Sequence, residues 1–480
     1  MNHVARPGGG ACDQSLCPYA HGDGRGLDGG AGVFSLPRRF AQETGVAGAL
    51  VAWVIAGAGM FTLALVFQRL AIRKPRLDAG VYAYAKAGFG EYAGFFSAAG
   101  YWASACVGNV TYWVLIMSTL GKWAPALGAG DTLVAIACSS VGLWLFFMLV
   151  RRGIKEATTI NRIVTVAKVI PIIVFVLLAL FTFDVSAFTS NWAGSSYGSL
   201  FEQVRDTMLI TVFVFLGVEG ASVYSRYARR REDVGRATIL GFVSVLAVFA
   251  SVTIVSYGIL PAEEIAELPQ PSMAGVLAAA VGPWGSVFVG VGLIVSVLGA
   301  YLAWTLMAAE VLFVAAKDRD MPRFLAHTSE HGVPVRALLL STSLSQVVLV
   351  LTYFSEDAFD FALDLTAVMT LIPFLLAALY ALKLRGTRET YEGASPSTLR
   401  WDLVIVVLAA VYTAFLLVAA GLDLVLLSFI FYAPVTLLFA MTRREQGRRV
   451  FTPTELVLFV TTVLVAAIAV VGLLAGWISA

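Results

Sequence analysis

The sequence predicts an all-α integral membrane protein of about twelve to thirteen spans, and three observations carry that reading. Of its 480 residues, 59% are hydrophobic and only 13% charged, with a mean hydropathy of +0.83. Apolar runs of about 20 residues, long enough to cross a ~30 Å hydrocarbon core, recur from residue 45 onward. Lys and Arg fall in alternate loops between those runs, as the positive-inside rule requires of a chain that crosses repeatedly. The net charge of +2 says nothing by itself; the placement of the charges does.

Spans are expected near 45–68, 92–120, 132–150, 157–183, 203–228, 237–260, 285–315, 337–354, 359–382, 402–420, 422–441 and 455–478, after a shorter apolar piece at 32–43. The first basic loop carries Arg69, Arg73, Lys74, Arg76 and Lys86, and the second Arg151, Arg152 and Lys155. The third holds five arginines between Arg226 and Arg236. Lys317 to Arg336, Lys383 to Arg400 and Arg443 to Arg449 mark three more. Loops 184–202 and 261–284 hold neither residue, and Lys122 is the main exception. The alternation puts the basic loops in the cytoplasm and the C-terminus outside. Residue 45 then also lies outside. A cytoplasmic N-terminus therefore needs one more crossing, for which the piece 32–43 is too short.

The stretch around which the rest is organised is 211–238, TVFVFLGVEGASVYSRYARRREDVGRAT. Its apolar part is interrupted by Gly217-Val218-Glu219-Gly220. Each glycine costs a helix roughly 1 kcal/mol relative to alanine. An acid at membrane depth costs on the order of 2.5 kcal/mol or more unless it lines a cavity or finds a partner. Both together point to a discontinuous helix whose freed backbone groups face a ligand. The alternative is a glycine contact with a neighbouring helix and a glutamate paired within the bundle.

Several other signals carry little. Cys12, Cys17, Cys106 and Cys138 show neither metal spacing nor a disulfide framework. Cys106 and Cys138 fall inside spans and are expected to be small packing residues. His327-Thr328-Ser329-Glu330-His331 matches a zinc-protease pattern, but it lies in a loop where a helix is needed, so no metal is expected. Paired carboxylates, a nucleophile elbow and a P-loop do not occur, which argues against an enzyme, a cofactor or an ATP-driven pump. The arginine clusters read as topology signals rather than nucleic-acid sites.

Two motifs carry a resemblance. Gly29-Gly30-Ala31-Gly32-Val33-Phe34-Ser35-Leu36-Pro37 and Phe215-Leu216-Gly217-Val218-Glu219-Gly220-Ala221-Ser222 look like the broken first and sixth helices of the amino acid–polyamine–organocation transporter superfamily. The loop from Pro75 to Tyr84, the run Gly100-Tyr101-Trp102 with Gly108-Asn109, and the run from Ala303-Trp304-Thr305 to Met321-Pro322 resemble its first loop, third helix and eighth helix. The likeness covers about residues 29–480 and is closest to the basic amino acid/polyamine antiporters, among them the arginine/ornithine antiporters. It implies a LeuT-like fold of two inverted five-helix repeats (5+5) with extra C-terminal helices. The repeats would occupy 29–200 and 201–384, with further helices in 385–480.

The activity it implies is exchange of cationic amino acids by alternating access across a bacterial cytoplasmic membrane. The partners are arginine, ornithine and, more loosely, lysine, together with the lipid bilayer; a homodimer is compatible with it. By the same resemblance, N–H groups at Ala31, Gly32 and Val33 hold the substrate carboxylate at a positive dipole end. Carbonyls near Phe213 and Gly217 take its ammonium. Trp304 and Phe213 lie over the substrate, where a cation–π contact of ~0.5–2 kcal/mol suits a carrier that must release its cargo. Many family members have Trp where this chain has Phe213, so that gate is expected to be weaker here. Ser104 and Asn109 contact the substrate side chain, and Glu219 forms an inner gate with Tyr101. Lys168, three residues before Pro171, stands where sodium-coupled relatives bind an ion, and its charge would replace that ion. Coupling through its proton, or a lysine reaching for the interface, are the other readings. A proton-coupled importer and a transport-inactive sensor are the rival functions.

Residues 1–28 depart from the family. The first helix should begin with about twelve apolar residues before Gly29, but the chain has LCPYAHGDGRGLD there. Glycine-rich and polar, with no charged start before an apolar core, the segment is not a signal peptide. A frameshift or misassigned start is the expected explanation, with a real polar N-terminus as the alternative. As written, the chain is expected to transport weakly or not at all.

Overall fold

In the computed structural model of the chain, the described residues are 28–75, 77, 80–153, 157–217, 231–355, 357–393 and 395–478. Of these, 28–31, 157–168, 195 and 231–240 are described by backbone alone. A 3₁₀ segment, Asp28–Ser35, leads into α1 (Leu36–Glu43), and a corner at Thr44 and Gly45 turns the chain into α2 (Val46–Arg73). Then come α3 (Val81–Phe89), α4 (Glu91–Gly121), α5 (Leu133–Arg151), α6 (Ala157–Phe181), α7 (Val185–Ser190) and α8 (Leu200–Val214). After the break follow α9 (Arg231–Ser256), α10 (Ala262–Glu267), α11 (Ser272–Val281), α12 (Pro283–Lys317) and α13 (Val335–Leu351). The chain closes with α14 (Ala358–Thr387), α15 (Pro396–Ala419), α16 (Leu422–Glu445) and α17 (Pro453–Leu474). Among the described residues, nine helices are long and apolar enough to cross a membrane. Helices α6, α8 and α9 coincide with three more of the expected spans.

Three expectations need correction. Residues 81–89 are a helix, not loop, bounded by Gly80 at φ 85° and Gly90 at φ 95°. At nine residues α3 is too short to read as a span, but it buries Val81, Tyr82, Tyr84 and Ala85 against α4 and α14. The loops 184–202 and 261–284 contain the short helices α7, α10 and α11. Cys138 is exposed on α5 and does not pack inside, whereas Cys106 is buried as expected.

Helix α4 is the centre. Its apolar window is 94% buried, against 22% for α17, so α4 is surrounded by protein while α17 turns its apolar surface outward as a lipid-facing helix does. Small residues let the neighbours come close, as helix contacts in membranes require. Gly94 receives Lys86, Gly108 faces Thr366, and Gly100 lies under Tyr432 of α16. The Tyr432 ring stacks on Phe96 with centroids 3.9 Å apart, and its hydroxyl donates to the Met369 carbonyl at 3.4 Å.

The corner between α1 and α2 is pinned by neutral hydrogen bonds. Thr44 Oγ1 donates to Gln203 Oε1 at 2.9 Å, and Tyr257 donates to the Thr44 carbonyl at 2.7 Å. Gln203 Nε2 in turn reaches the carbonyls of Ala193, Gly194 and Gly198 at 3.2, 2.9 and 3.2 Å. One buried amide thus ties α8 to the corner and to the loop before it.

A methyl group at Gly100 would stand 1.9 Å from the Tyr432 hydroxyl. Gly100→Ala is therefore expected to destabilise the purified protein by about 1–3 kcal/mol through overpacking. Combining it with Tyr432→Leu should cost less than the sum of the two. Thermal unfolding in detergent measures both. An unchanged midpoint for Gly100→Ala would show that the contact does not constrain the bundle.

Candidate functional site

Helix α8 starts at a capping box, in which Ser199 and Glu202 each satisfy the other's backbone N–H. It ends at Val214, three residues ahead of the first glycine of the Gly217–Gly220 break. The chain then tightens: the N–H groups of Phe215 and Leu216 reach the carbonyls of Val212 and Phe213 at 3.1 and 3.3 Å. Gly217 follows at φ 102°, a conformation that glycine takes without steric cost. The Phe213 carbonyl is thus engaged by the turn that follows the helix.

At this end of α8 lies a small cavity. Ser104, Ala105, Gly108 and Tyr112 of α4 form one wall, Phe213 and Leu216 another; Trp304 of α12 and Thr366 of α14 complete it. None of the eight is charged. The walls come close enough that little more than a water-sized sphere fits between them. An amino acid can enter only if they separate.

The Phe213 ring sets this closeness. A Cβ at Gly32 would lie 2.8 Å from the ring, and one at Gly108 3.9 Å from its other side. The ring is held between the 3₁₀ segment and α4, so three elements meet at one aromatic side chain. Ala31, Gly32 and Val33 lie in that 3₁₀ segment, where each N–H points back to the residue three before it. The segment must loosen before those groups can face a carboxylate. Ser35 Oγ donates to the Gly32 carbonyl at 2.8 Å and holds the segment closed.

The polar atoms beside the cavity are incompletely paired. Ser104 Oγ donates to the Tyr101 carbonyl at 2.8 Å. Asn109 Nδ2 donates to Thr305 Oγ1 at 3.3 Å, but Asn109 Oδ1 has no partner among the described residues, nor has Trp304 Nε1. Leaving such a buried group unmade costs about 1–3 kcal/mol, so both are positions where a polar ligand or water is favoured.

Of the residues expected from sequence, Ser104, Phe213 and Trp304 line the cavity, and Gly32 abuts it through Phe213. Asn109 is beside Gly108 and Tyr101 is one turn before Ser104, both buried on α4. Neither they nor Gly217 is among the lining residues. Glu219 lies outside the described residues, and Lys168 sits within α6 with its side chain outside them. Sequence reasoning missed Ala105, Gly108, Tyr112, Leu216 and Thr366. Gly108 and Tyr112 follow Ser104 at i+4 and i+8 on one face of α4, a signal that was available. Thr366 has no local signal, because only the packing of α14 on α4 brings it here.

A bundle of long apolar helices around an uncharged, aromatic-lined cavity, with one helix ending beside it in a glycine turn, suits a secondary transporter. The chain belongs to the amino acid permease family, whose family model matches residues 26–440. Among its relatives, an arginine/ornithine antiporter of Pseudomonas aeruginosa is 47% identical over 94% of this chain and 95% of its own. An L-lysine transport protein of Corynebacterium glutamicum is 39% identical over 94% and 93%. An arginine/ornithine antiporter of Latilactobacillus sakei is 35% identical over 92% of each chain.

The contact at Gly32 gives a direct check. Gly32→Ala should displace the Phe213 ring and lower stability by about 1–3 kcal/mol. Phe213→Ala in the same chain should relieve most of that loss in a thermal unfolding series. Equal losses with and without the ring would mean that the two do not touch.

Proposed function

We propose that the protein exchanges cationic amino acids across the bacterial cytoplasmic membrane, taking up arginine and releasing ornithine by alternating access. The observation that carries this is the 47% identity, over nearly the full length of both chains, to an arginine/ornithine antiporter. The site is consistent with it. A guanidinium needs no buried anion where Trp304, Phe213 and Tyr112 offer ring faces. In this reading Ala31, Gly32 and Val33 receive the substrate carboxylate, and the Phe213 and Gly217 carbonyls its ammonium. Asn109 Oδ1 and Ser104 meet the side chain, and Tyr101 with Glu219 closes the cytoplasmic side. Lys168 supplies a fixed charge in place of sodium. The repeats run 29–200 and 201–384, and the C-terminus lies outside, as the basic loops require. A homodimer is the assembly proposed.

A second reading is a proton-coupled amino acid importer, with which a relative named only as an L-lysine transport protein is compatible. Counterflow separates the two. Proteoliposomes loaded with ornithine should take up labelled arginine, only weakly with residues 1–28 as written, while empty vesicles with a proton gradient should not. Uptake driven by the gradient alone would replace exchange with proton-coupled import. Trp304→Leu should weaken arginine binding by roughly 2- to 30-fold, the range for loss of a ~0.5–2 kcal/mol cation–π contact. Unchanged affinity would remove Trp304 from the site.

A further inference from the structure

Two spans on the outside of the bundle, α5 and α13, meet along a seam that faces the lipid. Trp144 of α5 donates through Nε1 to Gln346 Oε1 of α13 at 3.1 Å, and Gln346 Nε2 donates to Ser140 Oγ at 2.9 Å. Behind the seam α13 is fixed to α4. Trp102 Nε1 donates to Ser341 Oγ at 2.8 Å, and Ser345 Oγ donates to the Cys106 carbonyl at 2.9 Å. In front, each helix shows one exposed apolar stripe. On α5 it is Val141, Leu145 and Met148, and on α13 it is Leu339, Val347 and Val350.

Both stripes carry arginine at the same end of the seam. Arg152 continues the face of Val141, Leu145 and Met148, with helical dihedrals at the C-cap of α5. Arg151 comes two turns after Trp144, on the seam side. Arg336 heads the α13 stripe, one turn before Leu339. Counted from the Trp144–Gln346 contact at 1.5 Å per residue, Arg152 and Arg336 stand about 12 and about 15 Å along their helices, less than one turn apart in level. The loops agree, since a Cβ on Gly153 would lie 3.2 Å from His331 Cβ. All three arginines are exposed, and among the described residues none of them is in an ion pair. The described acid nearest to them in sequence is Glu330, itself exposed in the loop before α13. A ligand that suits unpaired guanidiniums and also covers two apolar stripes carries a phosphate and hydrocarbon chains together.

We propose that the α5–α13 seam is a binding site for an anionic phospholipid, whose phosphate lies among Arg151, Arg152 and Arg336 and whose chains run along the two stripes past Trp144. The site touches none of the cavity residues and does not depend on which solute is carried.

The test reads lipid at the seam and does not need transport. In the full chain, Cys12, Cys17, Cys106 and Cys138 are replaced by alanine or serine, and Met148→Cys on the α5 stripe carries a bimane fluorophore. Leu464→Cys, on the exposed face of α17, is the reference position. Each protein is placed in phosphatidylcholine nanodiscs with a small, equal fraction of either phosphatidylglycerol or phosphatidylcholine bearing brominated chains. Quenching at Met148→Cys should favour phosphatidylglycerol by roughly tenfold or more. Arg152→Gln and Arg336→Gln should each lower that preference roughly fivefold, the effect of removing one cation beside a charged headgroup. Arg336→Lys, which keeps the charge, should retain most of it. The substituted side chains are exposed at helix ends, so the variants keep the fold. Leu464→Cys should show a smaller preference that these variants leave unchanged. Equal quenching by the two lipids at Met148→Cys would overturn the site, as would a preference that survives the double variant. A loss of equal size at Leu464→Cys would mark general surface charge and also overturn it. If inorganic phosphate abolished the preference where chloride of equal ionic strength did not, the arginines would belong to a soluble anion and the lipid reading would fall.

Discussion

The Phe213 ring, with a glycine against each side, is the constraint on which the cavity depends. At Gly32 the 3₁₀ segment comes within van der Waals distance of the ring; at Gly108 so does α4. At Gly32 no larger residue leaves room for this approach, and the ring belongs to the last turn of α8, where the helix stops. Displacing any of these three elements therefore displaces the ring, and the ring is a wall of the cavity. Close-packed interiors switch between discrete arrangements and do not deform smoothly. A site organised in this way changes volume by steps, as a carrier that alternates between two sides of a membrane has to.

The distribution of charge follows from the same setting. An ionised group deep in the bilayer is costly, and the lining of the cavity contains none. Charges gather at the two ends. At one end Arg39 meets Asp360 and Asp364. At the far end of α2, Arg69 and Arg73 hold Asp402 of α15 at 2.5 and 2.8 Å, with Tyr391 under the Arg73 guanidinium. Lys86 of α3 reaches Asp320 beyond α12 at 2.5 Å, so the small helix clamps the end of a long one. The neutral middle is lined by aromatic rings beside an unpaired amide oxygen and indole N–H, while ion pairs at the ends tie one helix to another.

Much of the fold was legible because membrane helices announce themselves by length and apolar composition. Eleven of the twelve expected spans correspond to helices, and for the twelfth, 203–228, a helix is described up to Val214, the rest lying outside the described residues. What was not legible was short or set by contact. Helix α3 has nine residues and owes its existence to the faces of α4 and α14. The capping of α8 was written at Ser199 and Glu202, but the stop at Val214 precedes the glycines that advertise it. In the site, Trp304, Ser104 and Phe213 emerged through motifs, whereas Thr366 and the carboxylates of α14 have nothing around them in sequence that marks them. Their significance comes from residues more than 250 positions away, Gly108 for Thr366 and Arg39 for the acids.

That separation bears on how the molecule is made. Chains are synthesised and inserted from the N-terminus, and early segments wait for their partners. The notch at Gly100 is filled by Tyr432, and the buried guanidinium of Arg39 is neutralised only when Asp360 and Asp364 arrive. Until then α4 carries an open groove and α1 an unmatched cation, both in an environment that penalises them. The central helix is among the first to be threaded and among the last to be finished. A ribosome that stalls before α14 thus leaves a half-product with both defects at once, an unfilled notch and a bare charge.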